Sequence, residues 1–316
     1  MILSIERAVA DDPDSHRWLD RLLAKFEDGW HVWELTGLED FESSSWIRES
    51  GARGARIREF IAHAVKRSAY PFAVHGRRIH VSLELQGSAG LSPESAVRVA
   101  EEPLTILVEN ARSDGAFLLR LFRELDRPLE HYRRCDGKPL RIVGCGGAGQ
   151  MDLEVMERVK SSPRPRLVVV VDSDRRRPDG PSSKTTTQIS TECGRLEVPC
   201  WVLAKREAEN YLPEELLRAR PDAGGDQSRQ VDVWSRLTDD QKDFLDMKNG
   251  LGSSVDPKDG GLFELLNDED RRQLSTGFGD KVYRCWEVGH VGAGESLRAR
   301  GRGDLETGLA RIRSEV

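Results

Sequence analysis

The stretch Leu167-Val-Val-Val-Val171, followed at once by Asp172-Ser173-Asp174, decides how the rest of the chain is read. An uncharged run this rich in β-branched residues reads as a strand buried on both faces, as in a parallel sheet. Two similar runs precede it. Leu104-Thr-Ile-Leu-Val108 ends in Glu109, and Leu140-Arg-Ile-Val143 runs into the turn Gly144-Cys-Gly-Gly-Ala-Gly149. Between the first two, Phe117, Leu118, Leu121, Phe122 and Leu125 fall on one helical face. Between the second and third, Leu153, Val155, Met156 and Val159 suggest another helix. The order β-α-β-α-β implies parallel pairing with helical crossovers. Ligands of such sheets sit outside the carboxyl ends of the strands, where Glu109, the glycine turn, Asp172 and Asp174 should gather.

Working outward, Thr185 to Cys193 reads as a short helix and Val198 to Leu203 as a fourth strand. That strand leads into Lys205-Arg-Glu-Ala-Glu-Asn-Tyr-Leu212, which puts Glu207 and Glu209 just past its end. Upstream, His16 to Glu27 and Ala55 to Ser68 have the spacing of amphipathic helices. Arg53, Arg56, Arg58, Lys66 and Arg67 on the second read first as a solvated face, and otherwise as a phosphate-facing stripe. Trp30, Trp33 and Trp46 read as core rather than as a partner surface. Arg78 to Gln86 alternates like a half-buried strand, and Gly87 to Pro93 like a loop. Downstream, Val231 to Asn249 and Gly261 to Leu266 read as helical. The Gly- and Arg-rich stretch from Val291 to Asp304 is open between a flexible tail and a nucleic-acid-facing one. The expected organisation is an N-terminal α/β accessory region (1–102), a catalytic α/β core (103–213) and a mainly helical C-terminal region (214–316).

With 316 residues there is room for about two domains. The net charge of −6 gives no global signal for nucleic acid, so any such binding needs a local basic surface. No apolar run is long enough to span a bilayer. Met1-Ile-Leu-Ser-Ile-Glu-Arg lacks the features of a signal peptide. Cys135, Cys145, Cys193, Cys200 and Cys285 form no C-x-x-C pair, which fits reduced thiols and a cytoplasmic location.

Carboxylates crowded at one sheet edge repel, and a bound cation relieves them. Oxygen-only donors suit Mg²⁺ or Mn²⁺. Glu109, Asp172 and Asp174 would hold one ion, and Glu207 or Glu209 a second, an arrangement suited to in-line attack on phosphodiesters.

These residues resemble a known family. Glu109 after one buried strand, the glycine turn after the next, Asp172-x-Asp174 after the third and Arg206-Glu-Ala-Glu-Asn-Tyr-Leu212 look like a Toprim domain. The Glu-Asn-Tyr-Leu segment is most like that of the overcoming-lysogenization-defect nucleases. The resemblance covers residues 103–213. It implies a Toprim-like parallel sheet and a Mg²⁺/Mn²⁺-dependent endonuclease acting on nucleic acid, with DNA the expected substrate and antiviral defence the implied setting. Glu109 would be a metal ligand or general acid/base, Asp172 and Asp174 metal ligands, and Glu207 or Glu209 would serve a second metal. Asp114 matches the additional acid of the pattern. The usual form is Glu-Gly-x-Ser/Thr-Asp/Glu, whereas Glu109-Asn-Ala-Arg-Ser-Asp114 is one residue longer and lacks the glycine. The family's charge-stabilising lysine has two candidates, Lys248 and Lys205. Its ATPase motif is absent from this sequence, so an ATPase would be a separate partner.

Two other readings use the same chain. Gly144-x-Gly146-x-x-Gly149, with Asp172 after the next strand, fits a nicotinamide-dinucleotide fingerprint. A catalytically degenerate Toprim module would bind nucleic acid or protein without cutting.

Overall fold

The structure, a computed structural model, describes residues 1–34, 41–68, 76–84, 90–162, 164–220, 225–252, 257–289 and 291–316. These residues are α/β and form two four-stranded sheets, each wholly parallel and flanked by helices. The second sheet carries the acidic strand ends. Before it come β1 (Ile2–Ile5), β2 (Val32–Glu34), β3 (Arg78–Val81) and β4 (Gly90–Leu91), arranged β2-β1-β3-β4. Then come β5 (Leu104–Val108), β6 (Leu140–Gly144), β7 (Leu167–Val171) and β8 (Cys200–Val202), arranged β6-β5-β7-β8.

β5 and β7 are buried along their whole length, as their lack of polar alternation predicts. Leu104, Ile106, Val108, Val168 and Val170 share a core with Phe117, Leu118, Leu121 and Phe122 of the Ser113–Leu125 helix. Leu107, Leu167, Val169 and Val171 pack instead with Met151 and Val155 of the Met151–Ser161 helix and Ile189 and Cys193 of the Lys184–Arg195 helix. Each such side chain contributes roughly 1.5–3 kcal/mol on full burial, so the two apolar faces fix the position of the sheet. The fourth strand is shorter than the expected Val198–Leu203 and lies at an edge.

The first sheet holds more strands than the one expected near Arg78–Gln86. β3 covers Arg78–Val81 with alternating exposure, while Leu85 and Gln86 lie outside the described residues. The loop expected over Gly87–Pro93 is corrected where it is described. Gly90–Leu91 is a strand, and Pro93 opens the Pro93–Glu101 helix, which Ser92 caps by accepting the Ser95 N–H at 3.3 Å. His16–Glu27 and Ala52–Ser68 are helical. Arg53 and Arg56 pair with Asp20 and Glu27 at 2.9 and 3.1 Å across these helices. Trp33 and Trp46 are core residues, and Trp33 stacks on Phe26 at 5.5 Å between ring centroids.

The C-terminal region is mainly helical and shares the core of the second sheet. Trp286 packs on Phe117 at 5.2 Å, and Gly308 of the Asp304–Arg313 helix lies directly against Trp201. The buried Arg120 guanidinium donates to the carbonyls of Val288 and Val291. Gly261–Leu266 forms turns rather than a helix, and the Val231–Asn249 helix is broken into Gly225–Arg236 and Asp239–Phe244. Thr238 causes the break, because its hydroxyl accepts the Gln241 N–H at 3.3 Å and caps the second piece. Val291–Asp304 contains the Gly294–Gly301 helix, with Leu297 buried and Arg300 ion-paired to Asp243 at 2.7 Å. Among the described residues no helix is long and apolar enough to cross a membrane.

Candidate metal centre at the sheet edge

From β5 the chain goes to β6 on one side, then returns past β5 to β7 on the other. The carboxyl ends of β5 and β7 therefore flank the switch point of the sheet, the place where open parallel sheets bind their ligands. Glu109 directly follows β5, and Asp172 directly follows β7.

Local hydrogen bonds set each side chain. Asp172 accepts the Ala208 N–H at 3.0 Å, which ties the end of β7 to the Glu207–Tyr211 segment. Thr186 at the start of the Lys184–Arg195 helix donates its hydroxyl to the Asp172 carbonyl at 2.8 Å. Glu109 is held by the Ala148 N–H of the glycine turn. Asp114, in the first helical turn after β5, accepts the Asn110 N–H at 2.8 Å and the Ser113 hydroxyl at 2.9 Å. Glu207 is almost fully buried and accepts the Met247 N–H at 2.6 Å; Glu209 is only 1% exposed.

These carboxylates act on one another. Burial raises Glu109 above the usual carboxylate range, and Asp114 and Asp174 raise it further. Burial raises Asp172 well above that range, with Asp114, Glu209 and Glu207 adding to the effect. Burial and then Glu209 push Glu207 up to about 8. Burial likewise raises Asp114 and Glu209. Their cation is Lys248, whose ammonium lies 3.8 Å from Glu207 and 4.0 Å from Glu209. Burial disfavours that ammonium, but Glu209, Glu207, Asp172 and Asp114 together outweigh burial and hold its pKa above the usual lysine value.

Two of the expected positions differ in geometry. The strand ends at Val171, and Asp174 adopts a left-handed backbone with φ of 53°. Asp174 therefore lies beyond the strand in the following loop rather than beside Asp172 at its end; it is exposed, yet still acts on Glu109. Lys205, the nearer lysine in sequence, belongs to a different network. Its ammonium donates to Asp243 at 2.6 Å, and burial lowers its pKa to about 8. Arg300 shares that Asp243 carboxylate.

Lys248 reaches the acids because its loop is clamped from behind. Gly277 has φ of 58°, and a Cβ there would stand 2.5 Å from the Gly250 nitrogen and 2.6 Å from the Lys248 carbonyl oxygen. Phe278 and Gly279 donate to the carbonyls of Met247 and Lys248 at 2.7 and 3.0 Å. Asp246, which the sequence reading passed over within the same Asp-Met-Lys-Asn-Gly segment, raises both Glu207 and Glu209 and pairs with Arg206 at 2.7 Å. The Glu-Asn-Tyr-Leu segment is a latch as well as an acid source. Asn210 donates to the carbonyls of Lys242 and Leu245 at 2.7 and 2.9 Å, and Tyr211 donates to Asp304.

The donor set is all oxygen and all anionic, which suits hard divalent cations. Its members stand apart, and among the described residues no three His, Cys, Asp or Glu side chains form a ready-made ligand cluster. The chain matches no family model, no curated protein and no solved structure.

Proposed function

We propose that the chain is a Mg²⁺- or Mn²⁺-dependent Toprim-like nuclease that hydrolyses nucleic-acid phosphodiesters, with DNA as its substrate. The observation that carries this reading is the gathering of Glu109, Asp114, Asp172, Glu207 and Glu209 around Lys248 at the switch point of a parallel sheet. Five mutually repelling carboxylates against one ammonium leave an excess of negative charge that divalent cations would neutralise. Asp114 and Asp172 would hold one ion, and Glu207 and Glu209 a second. When bound, such ions polarise the phosphoryl oxygens and make water a better nucleophile near neutral pH.

The remaining roles belong to the chain. Glu109, with its raised proton affinity, would take the proton from the attacking water. Lys248 would face the charge that builds on the phosphoryl oxygens, from a loop fixed in place before reaction. Asp172 would keep its orientation through the Ala208 N–H. The Cys145 thiol, raised by burial to about 11, stays protonated and offers no competing nucleophile. A role in defence against foreign DNA and a separate ATPase partner follow from the family resemblance, a cytoplasmic setting from the scattered cysteines, and all three belong to the same proposal.

The dinucleotide reading fares worse on this geometry. The glycine turn follows β6, an edge strand, whereas the switch point lies between β5 and β7. Gly144 is needed for another reason: a Cβ there would stand 2.5 Å from the Ala111 nitrogen, in the loop that carries Glu109. The test is conversion of supercoiled plasmid to nicked or linear forms with Mg²⁺ or Mn²⁺, and its arrest by a chelator. Binding of DNA without cutting under either metal would reduce the protein to a degenerate module, and tight NAD binding would restore the dinucleotide reading.

A further inference from the structure

Beside the acidic centre lies a cavity of about 540 Å³ whose walls carry the opposite charge. Arg176 and Arg177 line it from the loop after β7, Lys258 from the Pro257–Asp259 turn, and Arg206 from the segment after β8. Asp174 lines it as well, so the cavity opens next to the acids that surround Lys248. The lining carries four cationic side chains and one carboxylate in a chain whose net charge is −6, and Arg177 and Lys258 among the cations are exposed. Arg206 is oriented by its ion pair with Asp246, and Arg177 lies against Gly260, its Nη1 2.5 Å from where a Cβ would stand. Ser183 at the rim caps the Lys184–Arg195 helix, whose positive end adds to the same field.

We infer that this cavity is a phosphate-binding subsite that holds the backbone of the nucleic-acid strand next to the scissile phosphodiester. The inference rests on the nuclease reading of the acidic centre and adds to it the surface that engages the substrate. The acidic centre alone repels a polyanion. A local basic cavity in an acidic chain supplies the attraction without making the whole surface adhesive. Guanidinium groups match phosphate oxygens in geometry as well as charge. A strand anchored here would lie across Asp174 toward Asp172 and Lys248, and sequence-independent backbone contacts of this kind position a substrate.

The experiment measures binding of a short fluorescent single-stranded DNA in chelator, so that no cutting occurs, across a series of salt concentrations. Wild type is compared with the double variant Arg177→Glu and Lys258→Glu. Both positions are exposed, so folding should survive, and an unchanged melting midpoint confirms it. Arg98→Glu on the Pro93–Glu101 helix, outside the cavity lining and with half the charge change of the double variant, tests for a net-charge effect. The expected result is at least tenfold weaker binding by the double variant, with the log–log salt slope reduced by about one to two. Arg98→Glu should bind as wild type does. Equal affinity and equal slope in wild type and double variant would overturn the inference, even in a protein that cuts plasmid. Equal weakening by Arg98→Glu would also overturn it, since the effect would then be one of net charge. Loss of binding and slope in the double variant, in a protein that never cuts with either metal, would support the subsite while the nuclease reading fails.

Discussion

The ammonium of Lys248 lies 3.8 Å from the carboxylate of Glu207, although 40 residues separate them in sequence. The same glutamate accepts the N–H of Met247, so backbone and side chain of one short loop converge on it. This contact joins the sheet edge to the C-terminal region and sets the electrostatics of the centre.

Replacing Lys248 with methionine should remove the cation while keeping most of the side-chain volume. The ammonium is about one-third exposed, so the cost to folding is modest, about 1–2 kcal/mol at neutral pH. Cleavage should fall much further, by roughly 10²-fold, because the developing phosphoryl charge loses a fixed partner. Thermal melting and cleavage rate, measured on the same preparation, separate the two effects.

Stability should depend on pH through Glu207. In the metal-free protein its pKa rises from 4.5 to about 8, so within that window the folded chain keeps a proton that the unfolded chain releases. The resulting stability is present below about 4.5 and is lost as pH rises toward about 8, at roughly 1.4 kcal/mol per unit for a single group. Mn²⁺ competes with that proton. It should therefore raise the melting midpoint more at the alkaline end of the window than at the acid end. A pH-independent Mn²⁺ effect would count against cation binding at Glu207.

Tyr211→Phe tests the latch. The hydroxyl accepts the Lys205 N–H at 3.2 Å and donates to Asp304, so its loss leaves the buried Lys205 N–H unpaired, while Asp304 keeps the N–H groups of Trp201 and Ala204. A loss of about 1–3 kcal/mol in urea unfolding is expected, with cleavage per folded molecule little changed.

Gly277→Ala should act at a distance. The left-handed backbone and the close approach to Lys248 leave no room for a Cβ. A cost of about 2–4 kcal/mol is expected, together with weaker cleavage as the Lys248 loop shifts. Gly146→Ala in the glycine turn, where φ is positive but the space is open, should lose only about 1 kcal/mol.

The core of the second sheet was readable because Leu104–Val108 and Leu167–Val171 are too apolar to be anything but doubly buried strands, and the Ser113–Leu125 helix keeps a clean period; in the Met151–Ser161 helix the expected Leu153 is exposed and Met151 joins Val155 in the core. Glu109 and Asp172 followed as strand ends. The first sheet was largely hidden, since Val32–Glu34 and Gly90–Leu91 are too short to show any period. Choosing between Lys205 and Lys248 needed the tertiary packing: Lys205 precedes the acidic segment yet turns to Asp243, while Lys248 is brought in by glycine contacts that leave no local pattern. The Gly- and Arg-rich stretch Val291–Asp304 stays open between a flexible tail and a nucleic-acid-facing one until Arg300 is seen paired to the Asp243 that also binds Lys205.

The central claim is that the acids at the switch point form one hydrolytic metal centre. Its most direct test is the initial rate of supercoiled plasmid nicking in Mn²⁺, wild type against Asp172→Asn, with both proteins shown to melt alike. The account predicts metal-dependent nicking by wild type and a loss of at least ~10²-fold in the variant. Equal rates in the two proteins, or no nicking by wild type with either Mn²⁺ or Mg²⁺, would contradict it.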